Sequence, residues 1–458
     1  VFRRLLIANR GEIALRIHRA CERMGIETVV AHSTADRDGP WLEGAAATVC
    51  VGPARSADSY LDEDAILQAA EQTECQAIHP GYGFLAENAR FAARCEQQGI
   101  TFVGPTSGAI RRMGDKVAAK RTMAAAGLPT IPGPCEVLGD VEEALREAGT
   151  LGYPVLLKAR AGGGGRGMRR CAGEPDVRRA FDEARAEAAS SFGDPGLYLE
   201  KLLEGGRHVE FQVLGDALGN GLHLGERECS IQRQHQKLVE ESPSPAIDAR
   251  TRGELGGLVA RAVAGFGYRG AGTVEFLRTG DGRLHFMEMN TRLQVEHPVT
   301  EMLTGIDIVE QQLRVAAGER LAQRQSDVAF RGHAIEFRIN AEDPARGFRP
   351  APGTVRGFRP PPADLGGARV RWDSAVREGY RIPPQYDSLI GKLIVHADDR
   401  EAALEGARVA LAGLRVDGVP TTAPLYLRLI DHPEFRRGSY DVGFLERSGL
   451  LHSAAGKA

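Results

Sequence analysis

The chain has 458 residues and a formal net charge of −3, too long for one ordinary core, so about two or three subdomains are expected. The near-balanced charge gives no reason to expect a nucleic-acid or membrane-surface partner. The seven cysteines include no C-x-x-C pair, which argues against a disulfide framework or zinc site and for reduced thiols in a cytoplasmic compartment.

No apolar run approaches a membrane span, and no signal peptide precedes Leu5. The first residue is Val1, not Met, which leaves room for a trimmed terminus. Arg4-Leu5-Leu6-Ile7-Ala8 reads as a buried strand, Gly11 to Met24 has helical spacing, and Thr28-Val29-Val30-Ala31 is the next strand. That is a βαβ unit. Its turn, Asn9-Arg10-Gly11-Glu12, lacks G-x-G-x-x-G, so a dinucleotide site is not supported. A helix from about Glu63 to Glu71, a strand at Ala77-Ile78, a helix from Glu87 to Gln97 and a strand at Thr101-Phe102-Val103 continue the pattern. They predict an N-terminal doubly wound α/β domain over residues 1–112. His79-Pro80-Gly81-Tyr82-Gly83-Phe84 follows a strand and is read as a loop at a strand C-terminus. Open α/β sheets present ligands there, although a plain tight turn with a packed Tyr82 reads equally well.

Met113-Gly114-Asp115-Lys116 is predicted to open a helix running to Ala126, with a hinge at Pro132, Gly133 and Pro134. Tyr153 to Ala159 is a strand ending in Lys158. Gly162, Gly163, Gly164, Gly165, Arg166 and Gly167 follow, then a strand-like Met168-Arg169-Arg170-Cys171. Consecutive glycines let backbone N–H groups close on phosphate oxygens and keep the loop mobile, as a lid must be. No G-K-[ST] closes it, so it is not a Walker A loop. Leu197 to Leu203 reads as the strand and hinge returning from the lid, with an edge able to hold an adenine. Arg207 to Val213 is an alternating strand. Glu226 to Lys237 is densely polar and reads as a solvated loop or an active-site wall; Cys229 within it is read as a small packed residue, since no base stands beside it.

Thr273 to Leu277 and Met287 to Asn290 flank Thr279-Gly280-Asp281-Gly282, a hairpin signal. A four-residue loop puts Glu275 opposite Phe286 and diagonal to Glu288 on one face, with Asn290 on that face too. Two carboxylates and an amide at that spacing suit a hard divalent cation such as Mg2+. Gly305 to Ala317 is predicted as a helix. Arg338 lies in an alternating strand with Glu336 and Asn340 on its face. Pro350 to Pro362 is extended, Val370-Arg371-Trp372 and Leu393 to His396 are strands, and Arg400 to Leu414 is an amphipathic helix, together a small α+β cap. Only seven of the 58 basic residues are Lys, so Lys116, Lys120, Lys158, Lys201, Lys237, Lys392 and Lys457 are candidates for work needing a compact ammonium.

Met113 to Lys116, the glycine loop, Arg233-Gln234-His235-Gln236-Lys237, Glu288-Met289-Asn290 and Gln294-Val295-Glu296-His297-Pro298 together resemble the biotin carboxylase component, an ATP-grasp enzyme, of biotin-dependent acyl-CoA carboxylases. The resemblance runs from Leu5 to about Glu446. It implies three parts: an N-terminal domain over residues 1–112, an ATP-grasp domain over 113–332 with a lid at about 131–203, and a C-terminal α+β domain over 333–447, before a tail at 448–458. It implies ATP, Mg2+ or Mn2+, and bicarbonate, which form carboxyphosphate, and biotin carboxylated at N1′. The resemblance assigns ATP to Lys116, Lys158, the loop glycines Gly162 to Gly165 and Gly167, Glu200, Lys201, Leu203, His208, Gln232, His235 and Leu277. It assigns the metal to Glu275, Glu288 and Asn290, bicarbonate to Lys237, Arg292, Gln294 and Val295, the general base to Glu296, and biotin to Tyr82 and Arg338.

Chemistry supports those assignments. Arg292 offers a planar fork to a planar oxyanion. Bicarbonate is a poor nucleophile until a base takes its proton. The deprotonated urea of biotin needs a fixed cation at its enolate oxygen. Arg160, Ser242 and Ser244 depart mildly from the family pattern, with Arg160 a candidate for altering lid closure. None of the seven Lys has a Met neighbour, unlike the Met-Lys-Met hairpin that the family biotinylates, so the expectation is biotin supplied by a carrier that is either a separate subunit or part of a longer chain. A carboxyltransferase partner and a homodimer or larger assembly are also implied.

Overall fold

The computed structural model describes residues 1–161 and 167–451, so the loop glycines Gly162 to Gly165 lie outside the described residues. Strands β1 (Arg4–Ile7), β2 (Glu27–Ser33), β3 (Ala47–Gly52), β4 (Ala77–His79) and β5 (Thr101–Phe102) form a parallel sheet in the order β3-β2-β1-β4-β5. Helices α1 (Gly11–Arg23), α2 (Glu63–Gln72) and α3 (Ala89–Gln97) connect them. The expected doubly wound domain is present. Strand β3 escaped sequence reading although Ala47-Thr48-Val49-Cys50-Val51 is largely apolar; it is an edge strand, and of its residues only Val51 is buried.

The expected helix at Met113 is two helices. Met113 and Gly114 end α4 (Ser107–Gly114), and α5 (Lys116–Ala125) starts afresh. Asp115 is the reason: its carboxylate accepts from the N–H groups of Val117 and Ala118, an N-cap that resets the chain. The lid segment follows as a separate body with its own core. Helices α6 (Val141–Leu151) and α7 (Glu174–Phe192) pack on the antiparallel strands β6 (Val155–Ala159), β7 (Met168–Cys171) and β8 (Leu197–Lys201), ordered β7-β6-β8.

The largest sheet has eight strands, every neighbouring pair antiparallel. Its strands β9 (Arg207–Gly215), β10 (Gly221–Arg233), β11 (Gln236–Ser242), β12 (Gly270–Arg278) and β13 (Leu284–Asn290) are backed by α8 (Ala249–Gly265). It continues through β14 (His333–Asn340), Leu389–Ala397 and Ala368–Asp373, so the C-terminal region joins this sheet at the β11–β14 pairing and does not merely rest on it. The helix Arg400–Gly413 covers that end.

Two further expectations change. The polar run Glu226 to Lys237 is neither a solvated loop nor a wall alone: it is a hairpin inside the sheet. Glu226, Arg227 and Glu228 are buried because each is paired, Glu226 with Arg252, Glu228 with Arg207, and Arg227 with Glu210, Gln212, Thr273 and Thr300. Gln234 and His235 turn it with φ of 48° and 64°, as a two-residue type I′ hairpin requires. Cys229 is buried, and burial pushes its thiol well above the ordinary value, as a packed residue. The helix expected over 305–317 is preceded by one that sequence reading did not mark, α9 (His297–Thr304), and itself starts three residues later, as α10 (Ile308–Ala316). Gly305, at φ 72°, closes the first and Asp307 caps the second. Among the described residues no helix is long and apolar enough to cross a membrane.

Candidate active site

A cleft of about 890 Å³ lies where the N-terminal domain, the large sheet and the lid meet. Its floor is the β12–β13 hairpin. Glu275 lies directly opposite Glu288, not diagonal to it as expected, and Phe286 faces Phe276. The loop runs from Thr279 to Arg283, one residue longer than the turn signal, because Arg278 pairs with Leu284. That alone would put Glu288 on the wrong face. A bulge at Met287 restores it.

The carboxylates and cations of the cleft form one network. Lys237 Nζ lies 2.6 Å from Glu210, 3.1 Å from Glu275 and 2.8 Å from Glu296. Burial works to lower its pKa, but the three carboxylates outweigh this and hold the ammonium well above its usual value. Glu296 is fully buried, and Arg338 reaches its second oxygen at 3.0 Å. Burial tends to raise the Glu296 carboxyl, but Lys237, Arg338 and Arg227 hold it well below the carboxylate range. Arg338 also donates to Glu240 at 2.7 Å. Burial pushes Glu240 up to about 7, against the pull of Arg338.

Arg292 spreads its fork over Glu87 (2.7 Å), Gln294 (2.8 Å) and the Asn290 oxygen (3.1 Å). His208 Nε2 is 3.0 Å from Glu275, and Gln232 meets His208 Nδ1 at 2.7 Å. Burial tends to lower His208, yet Glu275 raises it above the ordinary imidazole value. Lys116 lies 2.5 Å from Glu288. Tyr82 donates its hydroxyl to Glu12.

The two facing carboxylates and the Asn290 amide are hard donors, and they fit a hard divalent cation. Lys116 and Lys237 now supply the positive charge that this acid pair demands. Lys237 likewise fills the space among Glu210, Glu275 and Glu296.

Lys116, Lys158, His208, Gln232, His235, Lys237, Glu275, Glu288, Asn290, Arg292, Gln294, Val295, Arg338 and Tyr82 all line the cleft. Glu296 sits beneath its wall. Glu200, Lys201, Leu203, Leu277 and Gly167 do not line it. Glu200 instead binds Lys120 at 3.0 Å and Lys158 at 2.7 Å, and Lys201 donates to the carbonyls of Gly152 and Tyr153. Arg160 pairs with Asp194 through Nε and Nη2 and is 3.7 Å from Asp115. Ser242 and Ser244 are buried with satisfied hydroxyls, on the Glu226 carbonyl and the Glu228 carboxylate.

Sequence reading missed Glu87, Glu12, Glu210 and Glu240. Each acts on a motif residue from a distant element, and no local pattern marks them. Lys120 was visible as one of the rare lysines, without a role.

Comparison with known proteins bears on this cleft. Residues 1–110 match the family described as biotin carboxylase, N-terminal domain, residues 115–324 the carbamoyl-phosphate synthase L chain, ATP binding domain, and residues 336–447 the biotin carboxylase C-terminal domain. The chain is 53% identical over 445 residues to the biotin carboxylase of Pseudomonas aeruginosa, covering 97% of this chain and 98% of that protein. Among solved structures, the biotin carboxylase domain dimer of Hydrogenobacter thermophilus 2-oxoglutarate carboxylase, in complex with MgADP, ADP and bicarbonate, superposes with a TM-score of 0.93 at 48% identity, covering 99% of both chains. The biotin carboxylase subunit of a pyruvate carboxylase superposes with a TM-score of 0.83 at 45% identity, covering 99% of this chain and 100% of that one. The chain belongs to the biotin carboxylase family, ATP-dependent ligases that carboxylate biotin with bicarbonate.

Proposed function

We propose that this chain performs the first half-reaction of an acyl-CoA carboxylase, carboxylating biotin on a carrier protein with bicarbonate and ATP. The observation that carries the reading is the buried trio Lys237, Glu296 and Arg338, with the base between two fixed cations. Lys116 and Lys158 bind the ATP phosphates, and Gly162 to Gly165 with Gly167 close over them. Glu200, Lys201, Leu203, His208, Gln232, His235 and Leu277 hold the nucleoside.

Glu275, Glu288 and Asn290 hold the divalent cation, which offsets triphosphate charge during phosphoryl transfer. Lys237, Arg292, Gln294 and the Val295 backbone hold bicarbonate. Bicarbonate bound at Lys237 draws off one of the three cations that depress Glu296, so the base strengthens as its substrate arrives. Glu296 then takes the bicarbonate proton. Arg338 stabilises the biotin enolate beside Tyr82.

The working division is 1–112, 113–332 and 333–447, with the lid at about 131–203. The partners are a biotin carboxyl carrier and a carboxyltransferase, in the cytoplasm, with the chain acting as a dimer or larger assembly. Kinship to pyruvate and 2-oxoglutarate carboxylases favours a second reading in which the final acceptor is a 2-oxo acid. Both readings share every step on this chain. ATP cleavage that requires bicarbonate and rises with free biotin tests the half-reaction; no bicarbonate dependence would refute it. Reconstitution with a biotinylated carrier and each class of carboxyltransferase separates the acceptors.

A further inference from the structure

Lys392 belongs to none of the motifs that carry the site. It lies on Leu389–Ala397, opposite Arg338 on one side and Asp373 on the other, and its side chain is 0% exposed. Its ammonium donates to the carbonyl of Val295 at 2.9 Å and stands 3.1 Å from Glu12 Oε1. The same Glu12 oxygen accepts the Tyr82 hydroxyl, while Glu12 Oε2 has no partner among the described residues. One buried ammonium thus ties the first turn of α1, the loop before α9 and the C-terminal strand together, with Tyr82 one bond further on.

The place of the contact matters. The Val295 carbonyl belongs to the peptide whose N–H is that of Glu296. Holding that oxygen fixes the rotation of the peptide between a bicarbonate-site residue and the base. The alternative is that Lys392 merely neutralises buried acid, Glu336 above all, whose oxygens are buried with no hydrogen-bond partner among the described residues. Yet the ammonium is aimed at the Val295 carbonyl and Glu12, not at Glu336. Asp373, its direct cross-strand neighbour, does not need it, because Arg371 already binds both Asp373 oxygens at 2.8 and 2.7 Å. A compact head with several donors can serve a carbonyl and a carboxylate at once, which Met cannot do and the broad fork of Arg fits poorly.

We propose that Lys392 is a positioning residue that registers the Gln294–Glu296 segment against Tyr82 through Glu12. The inference rests on the roles given above to Glu296 and Tyr82. Lys392→Met strands a buried carboxylate, so the informative variant is Glu12→Gln/Lys392→Met, which replaces the ion pair by a neutral pair of similar volume. Its unfolding midpoint is to be compared with the unsubstituted chain, and KM is to be measured for bicarbonate, free biotin and ATP in biotin-stimulated ATP cleavage. The expected result is a folded protein whose KM for bicarbonate and biotin rises by about tenfold or more while KM for ATP stays within about twofold. A folded double variant with unchanged bicarbonate KM overturns the proposal, and so does an equal rise for all three ligands, which would make Lys392 a general stabiliser. An unsubstituted chain without bicarbonate dependence would overturn the half-reaction itself along with this role, a distinct outcome read before any variant.

Discussion

At the scale of single residues, Glu296 carries the sharpest expectation. Its carboxyl is ionised and fully buried between Lys237 and Arg338. Glu296→Gln keeps the shape and removes the base, so bicarbonate-dependent ATP cleavage falls by about 10²–10⁴. ATP affinity, read by calorimetry, should stay close to that of the unsubstituted chain, because Glu296 bonds Lys237 and Arg338 and not Lys116 or Lys158, the lysines proposed for the phosphates. Arg338 acts later. Arg338→Ala lowers carboxylation of free biotin more than it lowers biotin-independent ATP cleavage, since charge develops on biotin only in the second step. Equal losses in both assays would assign Arg338 to the phosphates or to the fold.

At the scale of elements, the β12–β13 hairpin decides whether the site exists. The bulge at Met287 is what brings Glu288 to face Glu275. Deleting Met287 removes the bulge and sets Glu288 directly after Phe286, still opposite Glu275 on the same face, so the Mg2+ dependence of the rate survives the deletion. Glu288→Gln should weaken catalysis with Mg2+ far more than it weakens ATP binding without metal. A rate whose metal dependence is unchanged in Glu288→Gln would mean that the facing acids do not hold the cation. The hairpin also shows how far sequence reading reaches. Face alternation and the Thr279-Gly280-Asp281-Gly282 turn are local and legible. The bulge lies on β13, the outer strand of the sheet, which packs against α4 and α5, and nothing in the run Met287-Glu288-Met289 announces it or the extra loop residue.

At the scale of the whole molecule, buried ion pairs join distant parts of the chain. Glu301 on α9 receives Arg16 from α1 at 2.8 Å and Arg371 from the C-terminal region at 2.7 Å. Burial tends to raise the Glu301 carboxyl, but the two arginines hold it below its ordinary value. Glu301→Ala removes one of two acids from each arginine, leaving Arg16 on Asp307 and Arg371 on Asp373, and costs about 1–3 kcal/mol in denaturant unfolding. Glu241 similarly joins β11 to Arg400 (2.6 Å) and His333 (2.6 Å). Burial tends to raise it, and Arg400 and His333 depress it far below its unfolded value. A depressed carboxyl adds stability above its unfolded pKa of about 4.3, and that share is lost as pH falls below it. Unfolding midpoints between neutral pH and pH 3 should therefore fall less steeply in Glu241→Gln than in the unsubstituted chain.

The sequence by itself determined four of the five strands of the parallel N-terminal sheet, the strand that carries Lys158, and the motif residues from Lys237 to Arg338 that the cleft brings together. These depend on periodicity and short polar patterns, which neighbours along the chain express. Lysine rarity also pointed, without a mechanism, to Lys120 and Lys392, which prove to be buried. Only the tertiary structure decided the partners: Glu87 under Arg292, Glu240 beside Arg338, Glu210 beneath Lys237, and Lys392 on the Val295 carbonyl. It also decided that Glu226, Arg227 and Glu228 are interior, because each finds its counter-charge on another element. A residue's own segment sets its chemistry and its face, whereas burial and charge pairing depend on what the rest of the fold carries to it.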